Sequence, residues 1–302
     1  MNFNQIIQLF QAEILSKGIT PPKDLIADAQ LHRFHIVGDK LSSKNGWYLL
    51  HLDGIPCGMF GSWKRDGYSK WSAKNRESMS SYERTQQIER IKETSRIRCE
   101  LKIKEQYEAA QLAEQLWHSY SKVDPNHLYL TKKHISPFYA RQHGKELVLP
   151  VINYSGEICS LQYITECGSK RFLSNGAIKG HFIPVQGRPG DGKRILICEG
   201  FATGATLAKN HFDSCVIAAC DAGNLKPVAM KIRQKLSDAE IVICADDDRL
   251  NPDNPGINKG RAAAIASSSS FSRPKWPKNA PDSLKDYNDL ACWIAEIEVP
   301  HV

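Results

Sequence analysis

At 302 residues the chain is long enough to bury a sizeable core and to divide into roughly two or three modules. Its 41% hydrophobic and 24% charged content is that of a globular protein in water, no apolar run reaches the ~18 residues of a membrane span, and MNFNQIIQLFQAEI lacks the basic-then-apolar order of a secretory signal; the expectation is a cytoplasmic protein with no membrane partner. A formal charge of +7 favours a polyanionic partner without separating nucleic acid from nucleotides, and nine cysteines that never form a C-x-x-C pair argue for buried reduced thiols rather than zinc.

In chain order, FNQIIQLFQAEILSKG reads as an amphipathic helix ended by Gly18. The block from His32 to Ala73 then alternates apolar and polar residues between Gly, Asn and Asp, as antiparallel strands do, so residues 1–80 form an α+β module. Inside it MFGSWKRDGYSKWSAKNR interleaves Phe60, Trp63, Tyr68 and Trp71 with Lys64, Arg65, Lys70, Lys74 and Arg76, and holds one acid, Asp66. Such spacing lets aromatics stack on unpaired bases while cations follow phosphates, which makes Trp63, Lys64, Arg65, Lys70, Trp71, Lys74 and Arg76 candidate nucleic-acid contacts. The same stretch reads equally well as a hairpin with its aromatics in the core and its lysines in water.

From Ser81 to Tyr120 there is no Gly or Pro, which predicts one long helix or a helical pair, a connector over residues 81–130. Residues 131–190 show short strands and turns, with Ser155-Gly156 as a hairpin signal; QGRPGDGK follows as a linker. Over residues 191–302 the pattern becomes strand, helix, strand, helix: RILICEG, FATGATLAKN, SCVIAAC, LKPVAMKIRQKL, EIVICADDD, INKGRAAAIASS. Continuous apolar strands between helices predict a parallel sheet flanked by helices on both faces, an α/β fold whose sites form at the carboxyl ends of the strands.

Two of those strands end in acids. Glu199 closes RILICE, and EIVICADDDR runs into Asp246, Asp247 and Asp248, so both sets converge over one crevice. Carboxylates this close repel unless a cation lies between them, and hard oxygen donors suit Mg²⁺ or Mn²⁺. On an extended D-x-D segment Asp246 and Asp248 point one way and Asp247 the other, which makes Asp246 and Asp248 the candidate ligands. In KDYNDL, Asp286 and Asn288 are either helix-cap residues or a third acidic contribution.

ILICEGFATGATLA, IVICADDDR and KDYNDL together resemble the Toprim fold, the catalytic domain of bacterial-type primases, type IA and type II topoisomerases and some nucleases. The resemblance covers about Arg194 to Glu298 and implies that Glu199 serves in metal binding or proton transfer, that Asp246 and Asp248 are metal ligands, and that Asp286 supports them. KELVLPVINYSGEICSLQYI with SKRFLSN is similar to the segment before Toprim in bacterial replicative primases, a smaller α+β subdomain. That likeness implies that Lys170 or Arg171, with Asn175, handles nucleotide phosphate; Lys231 and Arg233 are further candidates for offsetting phosphate charge. The block from His32 to Lys64 looks like the leading segment of plasmid and phage Toprim primases.

Two departures from that pattern matter: there is no zinc-ribbon cysteine arrangement, and no G-x-x-x-x-G-K-S/T loop for a helicase motor. The resemblance therefore implies a primase that uses nucleoside triphosphates on a single-stranded DNA template, needs Mg²⁺ or Mn²⁺ but no zinc, and leaves unwinding to a separate replicative helicase or to a portion absent from this chain. The rivals are a Toprim nuclease using the same carboxylates and a non-catalytic DNA-binding replication accessory. A topoisomerase is disfavoured, since those enzymes need a tyrosine nucleophile in a further large domain.

Overall fold

The computed structural model describes residues 1–39, 43–62, 68–74 and 79–298. The chain divides into two compact units, residues 1–99 and 100–302.

In the first unit, helix α1 (Phe3–Ser16) opens on a capping box: Asn2 Oδ1 accepts the Gln5 N–H at 2.9 Å, and Gln5 Oε1 accepts the Asn2 N–H at 2.9 Å. Its apolar stripe of Ile6, Phe10 and Ile14 is buried. That stripe packs on an antiparallel meander of β1 (His32–Phe34), β2 (Gly46–His51), β3 (Cys57–Ser62) and β4 (Tyr68–Ser72), in the order β1-β2-β3-β4. The Phe10 ring approaches the sheet so closely that a Cβ on Gly58 would stand 2.7 Å from it. Phe60 and Trp71 share this core, with ring centroids 5.7 and 5.3 Å from Phe10.

Helix α2 (Ser81–Ser119) is a single helix, consistent with its freedom from Gly and Pro, and its residues from Glu100 onward belong to the second unit. There Ala113 packs on Val148, Leu161 and Tyr163, one face of an antiparallel sheet. The sheet runs β5-β6-β7-β8-β9, from β5 (Ser121–Lys122), β6 (Arg141–His143), β7 (Glu146–Ile152), β8 (Ile158–Thr165) and β9 (Lys170–Phe172), with the short α3 (Leu128–Lys133) inserted after β5. Gly156, at φ +90°, makes the turn of the β7–β8 hairpin.

The second sheet runs β10-β12-β11-β13-β14, from β10 (Ile183–Gln186), β11 (Ile195–Cys198), β12 (Cys215–Ala218), β13 (Ile241–Cys244) and β14 (Ser270–Ser272). Only the edge strand β10 is antiparallel. Alternation sends Leu196, Cys198, Val216 and Ala218 to one face, where they meet α4 (Phe201–Asn210) and the first sheet. Ile195, Ile197, Ile217, Ile241 and Ile243 go to the other, under α5 (Leu225–Lys235) and α6 (Pro255–Ala266). Burial on both faces is why these strands are continuously apolar in sequence. The closing helix α7 (Tyr287–Glu298) packs on α4. Ile183, Ala218, Cys198, Cys244 and Ser272 form one row across the sheet, marking the carboxyl ends of its parallel strands. Ile152 and Phe182 exchange backbone hydrogen bonds at 2.8 and 3.1 Å and so join the two sheets.

Candidate active site

Three strand ends and one helix cap deliver acids beyond that row. Glu199 follows Cys198 directly, Asp246 lies two residues past Cys244, and Asp221 lies three past Ala218. Asp286 is the cap of α7: its Oδ1 accepts the N–H groups of Asn288 and Asp289 at 2.7 and 2.8 Å. Cap and acidic contribution coincide in this residue, because its charge also acts on Asp246.

The electrostatics record the convergence. Burial, then the charges of Glu199 and Asp286, push the Asp246 carboxyl up to about 9; Asp248 adds to the rise and Lys170 opposes it. Glu199 is raised too, by burial, with Asp248 and Asp221 adding to the shift and Lys170 opposing it. Asp286 is raised by burial first and by Asp289 next. Lys170, on β9, places its Nζ 3.2 Å from where a Cβ on Gly200 would lie, directly beside Glu199. Lys170 therefore faces acids that burial keeps from sharing charge with water, and the charge of Lys133 acts on Asp286.

Asp246 Oδ1 is buried with no hydrogen-bond partner among the described residues. An orphaned buried carboxylate oxygen beside two or more acids fits a divalent hard cation, which would complete its coordination and hold the acids ionised. Among the described residues no group of three or more His, Cys, Asp or Glu side chains is drawn together tightly enough to enclose an ion. Mg²⁺ suits that looser arrangement, since it keeps several waters and binds through one or two carboxylates plus substrate phosphates. Asp246, with Glu199 or Asp248 beside it, would hold it.

Asp247 points elsewhere and is 1% exposed. Its Oδ1 accepts Asn254 Nδ2 at 2.8 Å; its Oδ2 accepts Trp276 Nε1 at 2.9 Å and Arg273 Nη1 at 3.2 Å. Burial works to raise this carboxyl, and the three donors with the charges of Arg273 and Arg249 outweigh it, leaving the group below the usual range. Asn254 also accepts the Asp248 N–H at 3.1 Å and the Ile257 N–H at 3.3 Å, capping α6. Asp248 Oδ2 accepts the Gly256 N–H at 3.2 Å. A Cβ on Gly256 would collide with the Asp246 carbonyl oxygen. The middle aspartate thus anchors the loop on which its two neighbours are displayed.

The basic candidates scatter. Lys170 stands at the acids, while Arg171, the next residue along β9, turns to the other face: it makes a two-point contact with Glu146 at 3.1 and 2.6 Å and lies 3.9 Å over the Tyr163 ring. Asn175 is exposed in the turn after β9, at φ 60°. Lys231 lies against Gly180. Arg233 is engaged elsewhere: its guanidinium donates to the carbonyls of Ser237, Ala239, Ser267 and Ser268 at 2.6 to 3.2 Å. Those carbonyls precede β13 and β14, at the end of the sheet opposite the acids, and they occupy its donors.

In the first unit Trp63, Lys64, Arg65 and Arg76 lie outside the described residues. Trp71 is half-buried, its ring packed against Phe10, and Lys70 Nζ stands 5.7 Å from the centroid of the exposed Tyr68 ring. Lys74 is partly buried at the end of β4. Asp221 was missed by the sequence reading, although SCVIAACD carries the same signal as RILICE: an apolar run ended by an acid.

Residues 194–293 match the family model of the Toprim domain, and its parallel strands carry the acids described above. Over 244 residues the chain is 31% identical to DNA primase TraC of Escherichia coli, covering 79% of this chain and 23% of that protein. A second DNA primase TraC of the same organism is 30% identical over 250 residues, 80% of this chain and 17% of that one. The chain therefore carries a Toprim domain, is homologous to DNA primase TraC, and spans less than a quarter of the length of these relatives. Among solved structures it is similar to the DnaG primase catalytic domain bound to ssDNA, with a TM-score of 0.41 and 12% identity over 60% of this chain and 77% of that one.

Proposed function

We propose that this chain is the catalytic part of a DNA primase, joining nucleotides into short primers on a single-stranded DNA template. Asp246 carries the reading: a buried carboxylate, raised by burial and by neighbouring acids, with one oxygen unpartnered and a lysine across from it. Homology to DNA primase TraC supports the same class of reaction. A bound Mg²⁺ or Mn²⁺ would supply charge neutralisation for the nucleotide triphosphate and Lewis-acid assistance to its transfer.

The chain's own groups supply the rest. Asp246 and Asp248 would hold the ion, Glu199 would add a ligand or accept the proton of the 3′ hydroxyl as that oxygen displaces pyrophosphate from the incoming nucleotide, and Asp286 would add to the local negative field. Lys170 meets the triphosphate from the other side, and Asn175 flanks the approach. In the first unit Tyr68, Lys70 and Lys74 remain as described members of the aromatic-basic stretch offered to the template, with a separate helicase opening the duplex.

The test is incubation with single-stranded DNA, nucleoside triphosphates and Mg²⁺, with Asp246→Ala as control. Labelled oligomers made by the parent and lost in the variant are expected. Shortened template would assign the same carboxylates to cleavage, and metal-independent binding without turnover would leave an accessory protein.

A further inference from the structure

The seam where the two sheets of the second unit meet carries a groove that the acidic crevice does not use. It begins as a cleft of ≈340 Å³ between the β7–β8 hairpin and α5, lined by Tyr154, His181, Phe182, Lys231 and Lys235 among others. A second cleft of ≈250 Å³ continues it past Tyr154, Ser155 and Phe182, which both share, to Gly187 and Arg188. The Ile152–Phe182 bridge forms its floor. Register fixes its direction: Ile183 pairs with Ala218 in the row that ends the parallel strands, so His181 and Phe182 lie on the same side of that row as Glu199. From there the groove follows the edge strand β10 toward Gly187.

Its lining has one sign of charge. No Asp or Glu lines either cleft, while Lys231, Lys235 and Arg188 do, and none of the three makes an ion pair among the described residues. The nearby acids are already engaged: Asp191 accepts the Arg188 and Lys193 N–H groups at 3.3 and 3.1 Å, and Glu157 accepts Asn153 Nδ2 at 2.6 Å. Arg188 lies across the hairpin turn, with Nη2 3.4 Å from where a Cβ on Gly156 would stand, and Lys231 lies against Gly180 in the same manner. Two glycines at positive φ thus clear the path of both cations. Buried His181 Nδ1 has no partner among the described residues, and Tyr154 stands half-buried between the clefts.

We propose that this seam binds a single strand of nucleic acid, with Lys231, Lys235 and Arg188 taking successive phosphates and the Tyr154 ring stacking on a base. Unpaired cations along an open channel beside an aromatic ring are what a single strand recognises, and the groove is elongated where a mononucleotide site would be closed. The inference rests on nucleic acid being this chain's substrate, and it names the path a strand takes beside the crevice.

The experiment is fluorescence anisotropy of a labelled oligothymidylate with the full chain, without nucleoside triphosphate or divalent ion, over a range of salt. The triple variant Arg188→Ala, Lys231→Ala, Lys235→Ala is expected to weaken binding at least ~10-fold and to lower the slope of log K against log salt by about 2, since each phosphate contact to a single strand contributes roughly 0.7. Tyr154→Phe is expected to bind as the parent, and Tyr154→Leu about 10-fold more weakly. A control triple on exposed lysines elsewhere, Lys209→Ala, Lys259→Ala and Lys278→Ala, is expected to lose far less.

An unchanged affinity and slope in the groove variant overturns the proposal. So does an equal loss in the control, which would make the effect one of net charge, and so does displacement of the strand by nucleoside triphosphate at equal phosphate concentration. Thermal melting of the variants with the parent excludes misfolding as the cause. Because binding needs no turnover, groove variants that bind normally leave primer synthesis standing, whereas a parent that binds through the groove yet makes no primer removes the synthesis reading alone.

Discussion

With its carboxyl pushed up to about 9 by burial first and by Glu199 and Asp286 next, Asp246 keeps its proton in the native state over a window in which the unfolded chain, near 3.8, has released it. The native state then binds more protons than the unfolded one, so the sign is negative: stability falls as pH rises from about 4 toward about 9. Asp246→Asn is expected to flatten this dependence and to raise the melting temperature near pH 8, by roughly 2–4 °C for each kcal/mol of repulsion relieved, while abolishing primer synthesis. Calorimetry across pH checks the first part and the primer assay the second. Asp247 behaves in the opposite way, since its three donors need the charge. Asp247→Ala is expected to cost about 1–3 kcal/mol in denaturant melts and to weaken metal binding through the displaced Asp248 loop, with Asp247→Asn recovering part of both. Alternation along D-x-D sets Asp247 apart from its neighbours, and the three donors on its carboxylate set it apart in the fold. Alternation was not enough to choose between Lys170 and Arg171, because it says that neighbours face apart without saying which face holds Glu146 and which holds Glu199.

At the level of elements, the parallel strands were legible because burial on both faces leaves an unbroken apolar run, and an acid at its end has no packing reason to be there. Helix α5 was less legible. Its cations sit on a regular amphipathic pattern, and only packing decides that Lys231 lies at the seam while Arg233 turns to the carbonyls before β13 and β14. Arg233→Ala is therefore expected to lower stability by roughly 1–3 kcal/mol in urea melts while leaving the KM for nucleoside triphosphate unchanged. A large rise in KM with an unchanged melt would restore the phosphate role. The hairpin of the first unit shows the same limit: alternation placed Trp71 on a strand, and the approach of Phe10 to Gly58 decides that its ring lies half-buried against the core.

For the molecule as a whole, the formal +7 charge coexists with a crevice whose acids repel one another. A ligand that binds only the native state stabilises it in proportion to the logarithm of its concentration over Kd. MgCl₂ is thus expected to raise the melting temperature, more at pH 8 than at pH 6 because protons compete for Asp246, and to leave Asp246→Asn nearly unmoved; an equal rise in that variant would mean nonspecific screening. Net charge in the sequence pointed to a polyanion, but the groove at the seam was invisible there, since Tyr154, Arg188 and Lys231 come together only when one sheet bridges to the other.

The Asp247 N–H donates to the Lys285 carbonyl at 2.6 Å, and Asp286 both caps α7 and bears on Asp246. Both groups lie further along the chain than Asn254, Arg273 and Trp276, which hold the Asp247 carboxylate. A chain that stops before Lys285 would therefore keep the side-chain anchors of the aspartate loop and lack both its backbone tie and the last acid, so the acidic group is complete only once α7 has docked.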